Sequence, residues 1–321
     1  MKILPNNSSL IYSGRIDLSD PFAIVWTYPG TFVRMKFKGT QLFIHVRNKH
    51  NYWNNYLGVA EGDAQTKLLL PEEGEATIEI PLQTTQDNIH EVTIFKRQDA
   101  CHELTILGFE INCNTDDECE LLEASPLPPR RIEVYGDSVS AGEVSEAVDY
   151  VAKTDPEHNG EYSNSWYSYA WIAARKLDAQ LHDIAQGGVA LLDNTGWYHE
   201  PDYIGMEQVW NKMRYNPDYG TVKEWDFSKY TPDIVIVAIG QNDSHPDDYM
   251  KTDYQGEKAQ NWRTHYRQFL AKLRETYPDA WIICCTTLLQ HDIGWDMSIS
   301  QAVLDIADKK ISHCVFQRNG K

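Results

Sequence analysis

The strongest chemical signal in the sequence is the hexapeptide YGDSVS at residues 135–140. It follows a short apolar run that predicts a β-strand, and open α/β sheets place their ligands where such strands end. Ser138 therefore stands where a nucleophile is expected, and Gly136 permits the tight turn before it. If a helix starts at Ser138, its first N–H groups can face a developing oxyanion. The alternative is that Asp137 and Ser138 only cap this helix, and the hexapeptide alone does not decide between the two.

Two further strand ends supply residue types that suit the same chemistry. The β-branched run DIVIVAIG leads into Asn242, whose side chain can donate an N–H group to an oxyanion. Gly187 and Gly188 follow another predicted strand, and a glycine at such a point lets its backbone N–H face the same pocket. Helix capping does not explain this coincidence of Ser, Gly and Asn. The three strand ends together predict a catalytic serine with an oxyanion hole.

The residues that must position this site are organised as two domains. Short alternating runs separated by acidic turns predict an all-β domain, a β-sandwich or jelly roll, at residues 1–120. Its predicted strands lie at residues 32–39, 41–48, 75–82, 90–98 and 102–112. An acidic and then Pro-rich stretch predicts an extended linker at residues 121–130, which leaves residues 131–321 for the second domain.

Strand and helix patterns alternate through the second domain, which predicts an α/β fold with a mostly parallel sheet. The predicted strands lie at residues 130–136, 179–186, 233–240, 280–289 and 312–317, and the predicted helices at residues 165–179, 261–278 and 298–310. The continuous β-branched run at residues 233–240 is typical of a parallel strand that is covered on both faces.

Charge and hydropathy narrow the class of protein. The formal net charge of −18 would repel a nucleic acid, and there is no basic run or zinc-type cysteine spacing. No stretch reaches 18 consecutive apolar residues, so no membrane span is predicted. The N-terminal segment MKILPNNSSLIYSG has no apolar stretch of signal-peptide length, which favours a cytoplasmic location, or a secreted one if a signal has been removed.

Cysteine usage indicates the redox environment. Cys284 and Cys285 are neighbours on a predicted buried strand, where their side chains point to opposite faces. This pattern favours free thiols in a reducing compartment over a disulfide framework.

Residues 131–321 resemble the SGNH, or GDSL, hydrolase superfamily, and nearly the whole chain resembles carbohydrate esterase family 2. The matching segments are GRID at 14–17, VYGDSVSAGE at 134–143, YSNSWYSYAWIAARKL at 162–177, IAQGGVALL at 184–192, IGQNDSHP at 239–246 and QHDIGWD at 290–296. The resemblance implies a jelly-roll domain before an SGNH-hydrolase domain, with Ser138 as the nucleophile. It also implies an oxyanion hole of the Ser138 N–H, the Gly188 N–H and the Asn242 side chain, with Gly188 preferred to Gly187.

The same resemblance implies a serine esterase that removes acetyl groups from xylan-type or other plant-polysaccharide sugars. Its partner would be an acetylated carbohydrate, and no metal or organic cofactor is implied. The jelly-roll domain would pack against the esterase domain and shape one cleft wall, with Tyr52, Trp53 and Tyr56 as candidate contacts. The alternatives are a non-catalytic carbohydrate-binding relic and an SGNH lipase or thioesterase, although the loops lack the long apolar stretches of an acyl-chain groove. The sequence does not specify an oligomeric state.

A serine nucleophile needs a base to take its proton, normally a histidine. The resemblance places that histidine in a loop before a final helix, and no such loop precedes Lys321, so both are expected to lie beyond this sequence. Among the histidines present, His291 follows a strand at the active-site end and is predicted to line the substrate site. His313 is expected to be structural, and His245 to serve its own loop.

Trp295 follows His291 on the same predicted loop. A tryptophan there can stack on a sugar ring, and it is predicted as a substrate-binding residue, with anchoring of the loop in the core as the alternative. Four other tryptophans are predicted to serve core or interdomain packing, namely Trp166, Trp171, Trp197 and Trp225.

Overall fold

The computed structural model describes residues 1–114, 118–286 and 289–316. The N-terminal part is built from strands alone, in two antiparallel sheets. Its strands are β1 (Lys2–Ile3), β2 (Ile11–Ser13), β3 (Ile16–Asp17), β4 (Ile24–Trp26), β5 (Phe32–Lys38), β6 (Gln41–Lys49), β7 (Tyr56–Glu61), β8 (Ala64–Leu69), β9 (Glu73–Ile80), β10 (Ile89–Lys96), β11 (Glu103–Asn112) and β12 (Glu120–Leu122).

One sheet has the order β3-β4-β11-β6-β9 with β1 beside β11, and the other has the order β12-β5-β10-β7-β8 with β2 beside β5. Alternate residues of β5 and β6 are buried, as expected for antiparallel strands with one face toward a core. The buried side chains of both sheets form one apolar cluster, which includes Met35, Ile44 and Ile94. The predicted β-sandwich is confirmed.

The C-terminal part is an α/β unit. Its strands are β13 (Arg130–Gly136), β14 (Ala179–Ala185), β15 (Lys212–Arg214), β16 (Lys223–Glu224), β17 (Ile234–Ala238), β18 (Trp281–Cys285) and β19 (Ile311–His313). Its helices are α1 (Ser138–Ala141), α2 (Tyr169–Lys176), α3 (Met206–Val209), α4 (Tyr249–Thr252), α5 (Glu257–Thr276) and α6 (Ile293–Ile306). Short 3₁₀ turns lie at Val148–Tyr150, Ser165–Tyr167, Pro217–Tyr219, Phe227–Lys229 and Asn242–Ser244.

The main sheet of this unit is parallel, in the order β14-β13-β17-β18-β19. Helices α5 and α6 cover one face, where Val237 and Ile282 pack with Trp262 and Ile299. On the other face, α2 packs over β13 and β14 through Trp171, which also stacks on Phe32 of the sandwich. The predicted α/β fold with a parallel sheet is confirmed. The predicted strands at residues 280–289 and 312–317 include residues 287–288 and 317, which lie outside the described residues.

The cysteines differ in part from the expectation. Cys284 and Cys285 are buried free thiols on β18, as predicted. Cys113 and Cys119, however, form a disulfide beside the sandwich core, so the expectation of free thiols was wrong for this pair. The bond joins the residue after β11 to the residue before β12, which are six positions apart in the sequence. Within the described ranges, no helix combines the length and apolarity needed to cross a bilayer.

Arg15 of the sandwich domain is buried inside the α/β unit. Its Nη2 donates to Glu133 Oε1 at 3.1 Å and to the Tyr135 hydroxyl at 2.8 Å, both on β13. Its Nη1 donates to the carbonyl of Trp210 at 2.6 Å. The side chains of Arg15 and Glu133 are both fully shielded from solvent, so this ion pair links the two domains at the central strand.

We expect Arg15→Ala to lower the free energy of unfolding by roughly 3–5 kcal/mol, because it leaves the Glu133 carboxylate buried without its cation. The matched control is Arg47→Ala, which breaks an exposed ion pair with Glu75 and should cost about 0–1 kcal/mol. Urea unfolding of both variants measures the difference. Equal losses in the two variants would contradict a structural role for the buried pair.

Candidate active site

The chain turns sharply between β13 and α1, and Ser138 is the first residue of that helix. Asp137 caps the helix, because its side chain accepts a hydrogen bond from the Val139 N–H at 3.0 Å. A Cβ atom on Gly136 would lie 2.0 Å from the Ser140 Oγ, so the turn requires glycine at this position. Ser138 borders a cavity, and no described residue forms a hydrogen bond with its hydroxyl group.

Hydrogen bonds tie the ends of β13, β17 and β14 together. Asp137 Oδ2 accepts from Gln241 Nε2 at 2.8 Å and, more weakly, from Asn242 Nδ2 at 3.5 Å. Asn242 Nδ2 also donates to the Val189 carbonyl at 3.0 Å. Burial raises the pKa of Asp137 to about 7, although hydrogen bonds from Val139 and Gln241 oppose this rise. The three strand ends therefore meet at one point, as the sequence predicted for a shared edge.

The structure distinguishes the two glycines after β14. The Gly187 N–H is already used, because it donates to Asp99 Oδ2 at 2.8 Å. The Gly188 N–H has no hydrogen-bond partner in the described parts of the chain. Gly188 has a φ of +73°, which favours glycine, and its carbonyl accepts from the Trp197 N–H at 2.8 Å. Gly188 is therefore the glycine whose backbone N–H can donate to an oxyanion.

Asp243 braces the loop that carries these glycines. Its carboxylate accepts from the Leu191 N–H at 2.8 Å and from the Leu192 N–H at 3.1 Å. Asp243 is fully buried, and burial raises its pKa to about 7 against these two hydrogen bonds. The turn after β17 thus supplies both Asn242 and the support of the neighbouring loop.

The cavity beside Ser138 has a volume of about 670 Å³. Much of its wall is apolar, with Val139, Ile236 and Ile283 among the lining residues, although the sequence indicated no apolar groove. Of the described residues that line it, His158 is the one histidine, and its ring lies 5.5 Å from that of Trp53 in the sandwich domain. Trp53 therefore approaches the cavity, as proposed for the sandwich aromatics.

His291 was predicted to line the substrate site, but the structure places it in a buried hydrogen-bonded position. Its ring is 3% exposed, with Nδ1 2.7 Å from the Leu289 carbonyl and Nε2 3.0 Å from Asp296 Oδ2. Both of these partners are hydrogen-bond acceptors, and His291 is not among the described residues that line the cavity beside Ser138. Burial would raise the pKa of Asp296, but hydrogen bonds with His291, His313 and Thr286 outweigh it and hold that pKa below its usual range. His291 is thus a partner of Asp296, and its predicted substrate contact is corrected.

Trp295 is fully buried, so its predicted role in sugar stacking was wrong. It lies in α6, with its ring 5.3 Å from those of Trp262 and Tyr249, and its Nε1 donates to Asp248 at 3.1 Å. The segment that the sequence indicated as a loop is the first turn of a helix that packs on the sheet.

The prediction for Trp197 differs from the structure in the opposite direction. It was predicted to be a packing residue, but its side chain is 58% exposed beside Gly188. Its ring stacks on His245 with centroids 3.4 Å apart, so an open aromatic face lies next to the loop of the candidate oxyanion hole. The surrounding run DNTGWYHEPD has the composition of a surface loop, which is the signal that could have identified Trp197.

One cluster in the described residues has metal-ligand chemistry. Donor atoms of Asp99, Cys101 and His102 lie within 4.8 Å of one another, and all three residues are buried. His102 Nδ1 accepts the Asn51 N–H at 3.0 Å, so the ring proton is on Nε2 and that nitrogen has no lone pair to offer. Burial lowers the pKa of His102 to about 3, in keeping with a neutral ring. The cluster does not fit a metal ion.

The fold and the site define an SGNH-hydrolase fold preceded by a β-sandwich. Residues 12–117 match the family described as carbohydrate esterase 2 N-terminal. The solved structure of a family two carbohydrate esterase from Clostridium thermocellum in complex with cellohexaose matches with a TM-score of 0.77. It is 25% identical, and the match covers 96% of this chain and 88% of that chain.

Two curated relatives agree. The Cellulase/esterase CelE of Acetivibrio thermocellus is 28% identical over 293 residues, which are 91% of this chain and 33% of that protein. The Acetylxylan esterase / glucomannan deacetylase of Cellvibrio japonicus is 32% identical over 164 residues, which are 51% of this chain and 41% of that protein. The chain therefore spans about a third to two fifths of the length of these relatives. It resembles carbohydrate esterase family 2 over nearly its whole length.

Proposed function

We propose that this protein is a serine esterase that removes acetyl groups from plant-polysaccharide sugars. The observation that carries the proposal is the junction of strand ends, where Asp137, Val189 and Asn242 are joined by hydrogen bonds around Ser138. The names of the two relatives, which are both esterases, support the class of reaction. The apolar and aromatic surroundings of Ser138 support an organic ester as the substrate.

The chemistry follows from these positions. The Ser138 Oγ attacks the acetyl carbonyl carbon, and the carbonyl π electrons move to its oxygen. The N–H groups of Ser138 and Gly188 and the Asn242 amide stabilise this oxyanion. Its collapse breaks the bond to the sugar oxygen, which takes up the proton that the base removed from Ser138 and leaves as a hydroxyl. The acetyl group stays on Ser138 until water attacks it and releases acetate. A base must take the Ser138 proton, and the proposal assigns that role to no described histidine, since none contacts the hydroxyl.

The substrate class is inferred from the exposed aromatic surface beside the site. Trp197 presents an open ring next to Gly188, and flat apolar faces of sugar rings stack on such side chains. A sugar ring stacked on Trp197 would lie beside the Gly188 loop, whose N–H is assigned to the oxyanion hole. Release of acetate from acetylated xylan tests the proposal, and glycan binding without any acetate release would favour a non-catalytic carbohydrate-binding protein.

We expect Trp197→Ala to lower kcat/KM for acetylated xylan by at least about tenfold, while the rate on 4-nitrophenyl acetate changes little, because stacking is remote binding that positions the ester. The matched control is Trp281→Ala. Trp281 is similarly exposed, at 55%. It is the first residue of β18, so it lies at the amino-terminal end of the parallel strands, whereas Ser138 follows the carboxyl end of β13. Equal losses on both substrates would show that Trp197 only supports the loop.

A second candidate is an esterase for longer acyl chains, and the apolar cavity beside Ser138 favours it. An acetyl group needs little of a volume of about 670 Å³, whereas an acyl chain could extend along Ile236 and Ile283. Rates on 4-nitrophenyl acetate and 4-nitrophenyl octanoate separate the two candidates. A higher kcat/KM for the octanoate would support the second.

A further inference from the structure

We propose that Asp99, a residue of the β-sandwich domain, positions the Gly187–Gly188 peptide of the oxyanion hole. This inference rests on the proposed function. It makes the sandwich domain a contributor to the geometry of the active site, beyond its role in shaping the cleft.

The contacts of Asp99 point to this role. Its Oδ2 accepts from the Gly187 N–H at 2.8 Å and from Gln186 Nε2 at 2.7 Å. The Tyr215 hydroxyl donates to Gln186 Oε1 at 2.9 Å, which fixes that amide from the other side. Asp99 is 1% exposed, so these bonds do not compete with bulk water. A single carboxylate oxygen from one domain therefore holds the start of the loop in the other.

The segment that carries Asp99 is itself held firmly after β10. The Lys96 ammonium group donates to the Gln98 carbonyl at 2.8 Å and to the Asp99 carbonyl. Cys101 Sγ donates to Asp99 Oδ1 at 2.8 Å. Burial would raise the pKa of Asp99, but the Cys101 hydrogen bond and the Lys96 charge oppose it, and the pKa lies below its usual value. The lowered pKa favours the ionised carboxylate of Asp99, which is the form that accepts the Gly187 N–H most strongly.

Glu143 connects this carboxylate to the loop of the nucleophile. It follows α1 and lines the cavity with Ser138. A Cβ atom on Gly187 would lie 1.8 Å from Glu143 Oε1 and 2.7 Å from Asp99 Oδ2, so both acids crowd this glycine. Burial first, and then the charges of Asp99, Asp137 and Asp155, raise the pKa of Glu143 well above its usual range.

The consequence for Gly188 is a fixed orientation. On one side the Gly187 N–H is bound to Asp99, and on the other the Gly188 carbonyl is bound to the Trp197 N–H. The peptide that joins the two glycines is held as well, because Gln186 Nε2, which also donates to Asp99, donates to the Gly187 carbonyl at 3.1 Å. Without Asp99 the Gly187 N–H and the Gln186 amide lose their common acceptor, and a donor that must be preorganised for the oxyanion loses its alignment.

The test compares Asp99→Ala with Asp99→Asn on 4-nitrophenyl acetate. We expect Asp99→Ala to lower kcat by roughly 10²-fold with little change in KM, which is the effect of losing one oxyanion donor. Asp99→Asn keeps an oxygen that can accept the Gly187 N–H and should recover most of that loss.

The control is Glu103→Ala. Glu103 is also a buried acid of the sandwich that reaches the other domain, where Arg214 donates to it at 2.6 and 3.0 Å. It should lower the thermal midpoint and leave kcat unchanged. The inference is overturned if Asp99→Ala keeps the parent kcat, or if its loss is no greater than that of Glu103→Ala at equal folded fraction. A parent protein that hydrolyses no ester would instead reject the proposed function.

Discussion

Replacing Ser138 with Ala is expected to abolish acetate release from acetylated xylan while the fold stays intact. The hydroxyl is the only part removed, and it borders the cavity without a hydrogen bond to any described residue, so few structural contacts are lost. Removal of a serine nucleophile lowers turnover by several orders of magnitude. The rate of acetate release and the thermal midpoint of the variant measure the two parts of this expectation.

The matched control for this variant is Ser140→Ala, two residues along the same helix. Ser140 is fully buried, and its hydroxyl is paired with that of Tyr169 at 2.8 Å, so its loss should affect stability more than catalysis. Ser138→Ala activity within twofold of the parent would remove Ser138 from the nucleophile role. A large loss of stability in Ser138→Ala, with little loss in Ser140→Ala, would contradict the structural account of the turn.

Asn242→Ala is the second large effect. We expect kcat to fall by roughly 10²–10³-fold, because one of the donors to the oxyanion is lost while the nucleophile remains. The change should lie mainly in kcat, since the oxyanion exists only near the transition state. Steady-state kinetics on 4-nitrophenyl acetate give both parameters.

Gln241→Ala separates the donor role from support of the turn. Gln241 also donates to Asp137 Oδ2, at 2.8 Å, but it is proposed to make no contact with the oxyanion. Its loss should therefore be smaller than that of Asn242→Ala. An unchanged kcat in Asn242→Ala would exclude Asn242 from the oxyanion hole, and equal losses in both variants would indicate that the two residues act only through Asp137.

The backbone of the site could be predicted because it depends on local sequence. Residues 130–141 have the pattern of a strand, a glycine turn and the start of a helix. The parallel sheet then brings the carboxyl ends of its strands to the same side. Ser138, Gly188 and Asn242 were therefore placed correctly relative to their strands. The choice between Gly187 and Gly188 could not be made from the residues alone, since it depends on a hydrogen bond to Asp99 in the other domain.

Side chains fixed by long-range packing were not predictable in the same way. Trp295 is buried and Trp197 is exposed, the reverse of what was expected, because burial depends on which face of α6 meets the sheet and on which loop stays open. The burial of Arg15 against Glu133, 118 residues further along, has no local signature. The sequence pattern predicts the sandwich and the α/β unit separately. The contacts between them depend on tertiary packing, which the pattern does not contain.

The assignment of Ser138 as the nucleophile is tested most directly by locating the acetyl group on the enzyme during turnover. The protein is mixed with 4-nitrophenyl acetate and quenched in acid, and its peptides are sequenced by mass spectrometry with fragments that separate Ser138 from Ser140. We expect an acetyl group on Ser138 that is absent from Ser138→Ala. Hydrolysis with the acetyl group on another residue, or with the same labelling in Ser138→Ala, would contradict it.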